Sequence, residues 1–101
     1  MTTALPATLE PAEVPSLSAS ALLESLLFVA SGPVSAARLG VALEMTPAAV
    51  EGLLRGLADE YAGRGLRLQW SGGMVQLTTA AEAAAVIERF LGLEVTNPLS
   101  Q

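Results

Sequence analysis

Apolar residues recur at helical spacing in four stretches of the chain and alternate with polar ones in a fifth. The first helical stretch is Ser16–Ser31, with Ser18 or Ser20 as its cap and Gly32-Pro33 as its end. Leu23, Leu27 and Ala30 form one stripe, Leu22, Leu26 and Val29 form the next, and Phe28 widens the face. Only Glu24 and Ser25 are polar in its middle. A surface helix shows a single apolar stripe, so this one is either central to the core or shared with a partner. Ser35 caps a short second helix to about Leu43, with Leu39 and Leu43 inward. Thr46 and Pro47 then open a third helix at its N-cap and first position, and Met45 can staple to Val50. That helix runs to about Ala62 with Val50, Leu53, Leu54, Leu57 and Tyr61 inward, and Gly63 is its left-handed C-cap.

Beyond it, Leu66, Leu68 and Trp70 alternate with polar residues, Ser71-Gly72-Gly73 forms a turn, and Val75 and Leu77 continue the alternation through Thr78. This predicts a β-hairpin. Thr79-Ala80-Ala81-Glu82 reads as a capping box for a fourth helix to about Leu91, with Val86, Ile87, Phe90 and Leu91 apolar and Gly92 at its end. Met1–Pro15, rich in Pro, Ala and Thr, reads as a flexible N-terminal arm, and Leu93–Gln101 as an extended tail. Three helices, a two-stranded hairpin and a last helix make a mostly α, α+β fold. The order α-α-α-β-β-α is that of a winged helix-turn-helix, residues 16–92 forming one domain with the hairpin as wing and the last helix on its open side.

Composition narrows the chemistry. The 101 residues are 51% hydrophobic and 15% charged, with a net charge of −5, and the five cations are all Arg. With no His, Cys or Lys, the commonest general base, the thiol nucleophile, the usual zinc ligands and Schiff-base chemistry are all gone. No catalytic residue, cofactor site or metal site is expected. The longest unbroken apolar runs, Leu26–Ala30 and Ala83–Ile87, fall far short of the about 20 residues of a spanning helix, and the N-terminus has no basic segment of a secretory signal. A cytoplasmic protein is the default reading. A core drawn from fewer than about 80 residues rarely supplies more than about 3–5 kcal/mol, and with disulfides and zinc closed by composition the balance leans towards a dimer, although many small domains fold alone.

A helix-turn-helix raises the question of DNA. The outward positions of the third helix include Ala48, Ala49, Glu51, Gly52, Arg55, Gly56 and Asp59, one Arg against two acids. The wing tip, Ser71-Gly72-Gly73, carries no cation. Base edges and phosphates need donors and positive charge, so protein docking is favoured. The alternative is a winged-helix DNA-binding transcription regulator using Arg55, Arg64 and Arg67 for phosphates. Asp59-Glu60 reads as a solvated helix end, and Gly63-Arg64-Gly65 and Gly72-Gly73 as turn chemistry rather than a phosphate cradle. Trp70 is core, or an interface anchor if partly exposed.

Several segments resemble one family. Leu23-Glu24-Ser25-Leu26-Leu27-Phe28 is similar to the opening helix of the bacterial segregation and condensation protein B family. Leu57-Ala58-Asp59-Glu60-Tyr61 followed by Gly65-Leu66-Arg67-Leu68 resembles its third helix entering the wing. Val75-Gln76-Leu77-Thr78-Thr79 resembles its second wing strand, and Pro98-Leu99-Ser100-Gln101 the junction to its second domain. The resemblance covers about Ala21 to Gln101. It implies a non-enzymatic accessory subunit of the bacterial condensin complex that dimerises through its N-terminal winged helix. It also implies binding to the kleisin subunit, segregation and condensation protein A, and through it to the structural-maintenance-of-chromosomes ATPase at the nucleoid. Residues 93–101 would then be a linker towards a second winged helix that this chain stops short of. For the dimer face the expected residues are Leu22, Leu26 and Val29 of the first helix, with Trp70 of the wing.

Overall fold

The computed structural model describes residues 16–92, so the expectations for residues 1–15 and 93–101 lie outside the described residues. Helix α1 spans Ala19–Val29, with the Ser18 hydroxyl accepting from the Ala21 N–H at 3.1 Å. Helix α2 spans Ala36–Leu43 and α3 spans Pro47–Glu60. Their caps are those the sequence indicates: Ser35 accepts from the Arg38 N–H and Thr46 from the Ala49 N–H, each at 3.1 Å. Strands β2, Leu66–Ser71, and β3, Met74–Thr79, pair antiparallel from Leu66 opposite Thr79 to Ser71 opposite Met74. Gly72 and Gly73, with φ of 58° and 80°, make the two-residue turn whose twist suits a hairpin.

The sheet has a third strand. Val34–Ser35, β1, pairs antiparallel with β3, Val34 facing Val75 and Ser35 facing Met74, so the order is β1-β3-β2. The hairpin reading of the sequence omits it because two residues carry no alternation; pairing along the free edge of β3 makes Val34–Ser35 a strand. The architecture is a winged helix-turn-helix with a three-stranded antiparallel sheet.

The core is one cluster. Leu23 and Leu27 of α1, Leu39 of α2, and Val50, Leu54 and Leu57 of α3 meet Tyr61, Val34 and Val75, all buried. The sheet closes it with Leu68 and Leu77, which pack on it while partly exposed. The corner between α2 and α3 is tight. Glu44 adopts the left-handed conformation (φ 60°), and the Met45 N–H bonds the Gly40 carbonyl at 2.9 Å. A Cβ on Gly40 would lie 2.4 Å from the Met45 carbonyl oxygen. Only glycine lets these backbones approach so closely.

Two polar contacts fasten α3. The Tyr61 hydroxyl donates to Glu24 Oε2 at 2.5 Å, tying the end of α3 to α1. Burial, and then this bond and the Glu24 charge, push the Tyr61 hydroxyl up to about 12. The Arg67 guanidinium donates to the carbonyls of Tyr61, Arg64 and Leu66, so β2 covers the carbonyl end of α3. The helix ends at Glu60, two residues before the expected boundary, and Gly63 (φ 79°) turns the chain into the wing.

The end of the domain departs from the sequence reading. Thr79 is drawn into the ladder opposite Leu66, and Ala80 follows it with its N–H on the Gly65 carbonyl at 2.8 Å. The capping box therefore does not form. A single 3₁₀ turn, Ala81–Ala83, leads into α4, Ala84–Leu91, with no side-chain cap on either. Glu82 instead approaches Arg67 at 3.6 Å. Gly92 ends α4 in the left-handed conformation as expected. No residue of α4 is buried, so its packing on the open side of the hairpin is not seen.

Replacing Gly40→Ala should destabilise the domain by about 1–3 kcal/mol, the cost typical of forced overpacking, despite the better helix propensity of alanine. The midpoint of urea unfolding measures it. Tyr61 is the one tyrosine of the chain, so its ultraviolet titration can be followed directly. It should ionise near pH 12 in the folded protein and near pH 10 when unfolded. Folded Tyr61 holds its proton more tightly, so its contribution to stability is complete below pH 10 and is lost as pH rises from about 10 to 12.

Candidate protein-interaction surface

The apolar side chains left outside the core concentrate at α1, the wing and α4. Phe28 (77% exposed) and Val29 (74%) stand on the outer side of α1, and Leu66 is partly open at the start of β2. With Glu24, Ser25 and Leu77 they line a shallow groove of about 340 Å³ between α1 and the sheet. On α4, Val86, Phe90 and Leu91 are more than half exposed, Phe90 by 86%. Spaced along one side of the helix, they leave Glu88 and Arg89 to the other.

The four residues expected at a dimer face occupy different surroundings. Leu22 is half-buried, and Leu26 packs against the core while also lining a second depression. That depression, about 440 Å³, lies where α1, β1 and α2 meet and has Pro33, Ala42 and Arg38 on its wall. Val29 lines both it and the α1–sheet groove. Trp70 is half-exposed in a third depression beside Glu51 and Arg55 of α3. The structure thus brings Leu26 and Val29 together and leaves Trp70 with α3.

Phe28, Leu66, Val86 and Phe90 are absent from that expected set. The apolar width of α1 signalled that one of its stripes is left over, and Phe28 is the residue furthest out on it. Nothing in the spacing of Val86 and Phe90 separates a core-facing helix from an exposed one.

The electrostatics do not suit nucleic acid. Ala48, Ala49, Glu51, Gly52, Arg55, Gly56 and Asp59 are all exposed on α3, and their one cation faces two acids. Arg67, a candidate phosphate ligand, has its guanidinium on three backbone carbonyls and beside Glu82. Phosphate contacts supply most of nonspecific DNA affinity, and this face offers few. No described helix is long and apolar enough to cross a membrane.

Both the sequence and the fold are similar to known proteins. The family model described as segregation and condensation complex subunit ScpB matches residues 21–101. Segregation and condensation protein B of Moorella thermoacetica is 40% identical over 77 residues, covering 74% of this chain and 40% of that protein. The protein of the same name from Syntrophotalea carbinolica is 42% identical over 71 residues, covering 68% and 36%. The chain therefore spans less than half the length of these relatives. Among solved structures, ScpB from Mycobacterium tuberculosis superposes with a TM-score of 0.70 at 30% identity, covering 80% of this chain and 54% of that one. A dimer of a ScpB N-terminal domain complexed with ScpA peptide gives 0.67 at 27% identity, covering 71% and 93%. By family match, sequence identity and fold, the chain belongs to the segregation and condensation protein B family.

Proposed function

We propose that this winged helix is the dimerising, kleisin-binding domain of an accessory subunit of the bacterial condensin complex. The observation that carries the reading is the combination of family membership with an apolar, cation-poor surface on α1. A solved ScpB N-terminal domain that covers nearly the same unit is described as a dimer bound to ScpA peptide. In this reading the chain is not an enzyme. It works in the cytoplasm, at the nucleoid, by holding two copies together and presenting surface to the kleisin that engages the structural-maintenance-of-chromosomes ATPase. Its part in condensing and partitioning the chromosome is then architectural.

The dimer face is built on α1. Val29 stands at its centre, with Leu22 and Leu26 beneath it as partly buried support. Trp70, in its own depression beside Arg55, is the fourth residue of the expected set and the one furthest from this arrangement in its surroundings. Burying a side chain such as valine or phenylalanine contributes about 1.5–3 kcal/mol, set against the cost of bringing two chains together.

Light scattering across micromolar concentrations should give a mass near twice the 10.3 kDa of one chain. Val29→Arg should halve that mass while leaving the circular dichroism of a folded domain, because Val29 is exposed in the single chain. A wild-type monomer at all concentrations would overturn the dimer. The chain should also leave duplex DNA unshifted at low micromolar protein. A salt-dependent shift, lost when Arg55 and Arg64 are replaced, would instead favour the transcription-regulator reading.

A further inference from the structure

The depression where α1, β1 and α2 meet combines apolar walls with a single cation. Leu26, Val29, Pro33, Val34 and Leu39 line it, and Arg38 stands on its wall. Arg38 is exposed, and its guanidinium makes no ion pair among the described residues. The Ser35 cap uses only the backbone N–H of Arg38, which leaves the side chain uncommitted. Such a place suits an aliphatic side chain with a carboxylate beside it, the first leaving water and the second meeting the guanidinium. The groove between α1 and the sheet has the opposite charge, since Glu24 lines it.

We propose that the chain's own N-terminal segment occupies this depression, with Leu9 against the apolar wall and Glu10 on Arg38. The inference is independent of the dimer reading. Charge is the first reason. Residues 1–15 hold Glu10 and Glu13 and no Lys or Arg, with Leu5, Leu9 and Val14 as their large aliphatic residues. They therefore match the depression that carries Arg38 and are repelled by the groove that carries Glu24. Reach is the second. The chain bends at Leu17 ahead of α1, and the depression lies at the far end of that helix. The 11 residues of α1 rise about 16 Å. At the roughly 3.1 Å per residue of a proline-bearing extended run, the five residues Pro11–Pro15 span about the same length and deliver Leu9 and Glu10 to the level of Arg38. Tethering is the third: a segment joined to the same chain binds as an intramolecular event, ahead of any free peptide of equal chemistry. An exposed ion pair adds little by itself, so Glu10 sets the register while burial of Leu9 holds the segment. Val29 lines the depression and also stands on the outer side of α1, so the docked segment borders any contact made through that helix.

The chain has no cysteine, so a nitroxide on Thr8→Cys reports where the segment lies by broadening the nearest amide signals of the isotope-labelled full chain. The expected result is a loss of intensity centred on Ser31, Gly32, Arg38 and Ala42. A loss spread evenly over the domain, or centred on Ser25 and Leu77, overturns the proposal. Nitroxide-bearing chains without the isotope are then mixed with isotope-labelled chains without the nitroxide. The depression should keep its intensity in the mixture; a loss there as strong as in the single chain means that the segment crosses to a second copy and overturns docking within the chain. Arg38→Glu, checked for native circular dichroism, should reduce the local loss several-fold, and combining it with Glu10→Arg should restore it. An Arg38→Glu chain that retains the full effect overturns the pairing of Glu10 with Arg38.

Discussion

The packing of α1 against α3 decides what the rest of the molecule has left to offer. Leu23 and Leu27 go into the core with Val50, Leu54 and Leu57, and the bond from Tyr61 to Glu24 fixes α1 at the far end of the contact. A short domain has one core and so one side of α1 to bury. The residues on the other side are equally apolar, and once the first stripe is committed they face outward. Phe28 and Val29 are exposed as a consequence of Leu23 and Leu27 being buried, with about 100° per residue separating them around the helix. The exposed face is therefore a product of the core's geometry.

Charge and the hydrogen-bond network agree with that allocation. The fold is shared with many DNA readers, but a fold does not determine a function. Here the helix that would enter a groove presents Glu51 and Asp59 beside Arg55. Arg67 is committed to closing the end of α3, where unpaired carbonyls need donors. Removing a cation from the surface to cap a helix favours a compact joint between α3 and the wing over phosphate binding. The wing becomes a brace for the core through Leu68, Leu77 and Val75, and its turn, two left-handed glycines, carries no recognition side chain.

Much of the fold was legible because local chemistry repeats itself. Ser35 and Thr46 cap their helices, Pro47 sits at its first position, Gly72-Gly73 turns the hairpin and Gly92 ends α4, each by a rule that needs only a few neighbouring residues. What escaped depends on tertiary partners. The two residues of β1 exist as a strand only through β3. Gly40 looks like any helical glycine until the Met45 carbonyl is found against it. The Thr79 capping box was locally sound and lost to a competing pairing with Leu66.

The interaction surface was legible only in outline, for a related reason. Hydrophobic periodicity reports that a face avoids water; it does not report whether the covering surface lies in the same chain. For α1, excess width signals that part of its apolar surface is left over, and Phe28 and Val29 are the residues exposed. For α4 no such excess exists, and an ordinary amphipathic pattern is compatible with either destination. The structure makes the distinction: Val86, Phe90 and Leu91 are exposed, and the connection before α4 is held by the Ala80 N–H on the Gly65 carbonyl. A sequence pattern that suits a core helix thus ends on an exposed face, with Phe90 open to solvent among the described residues.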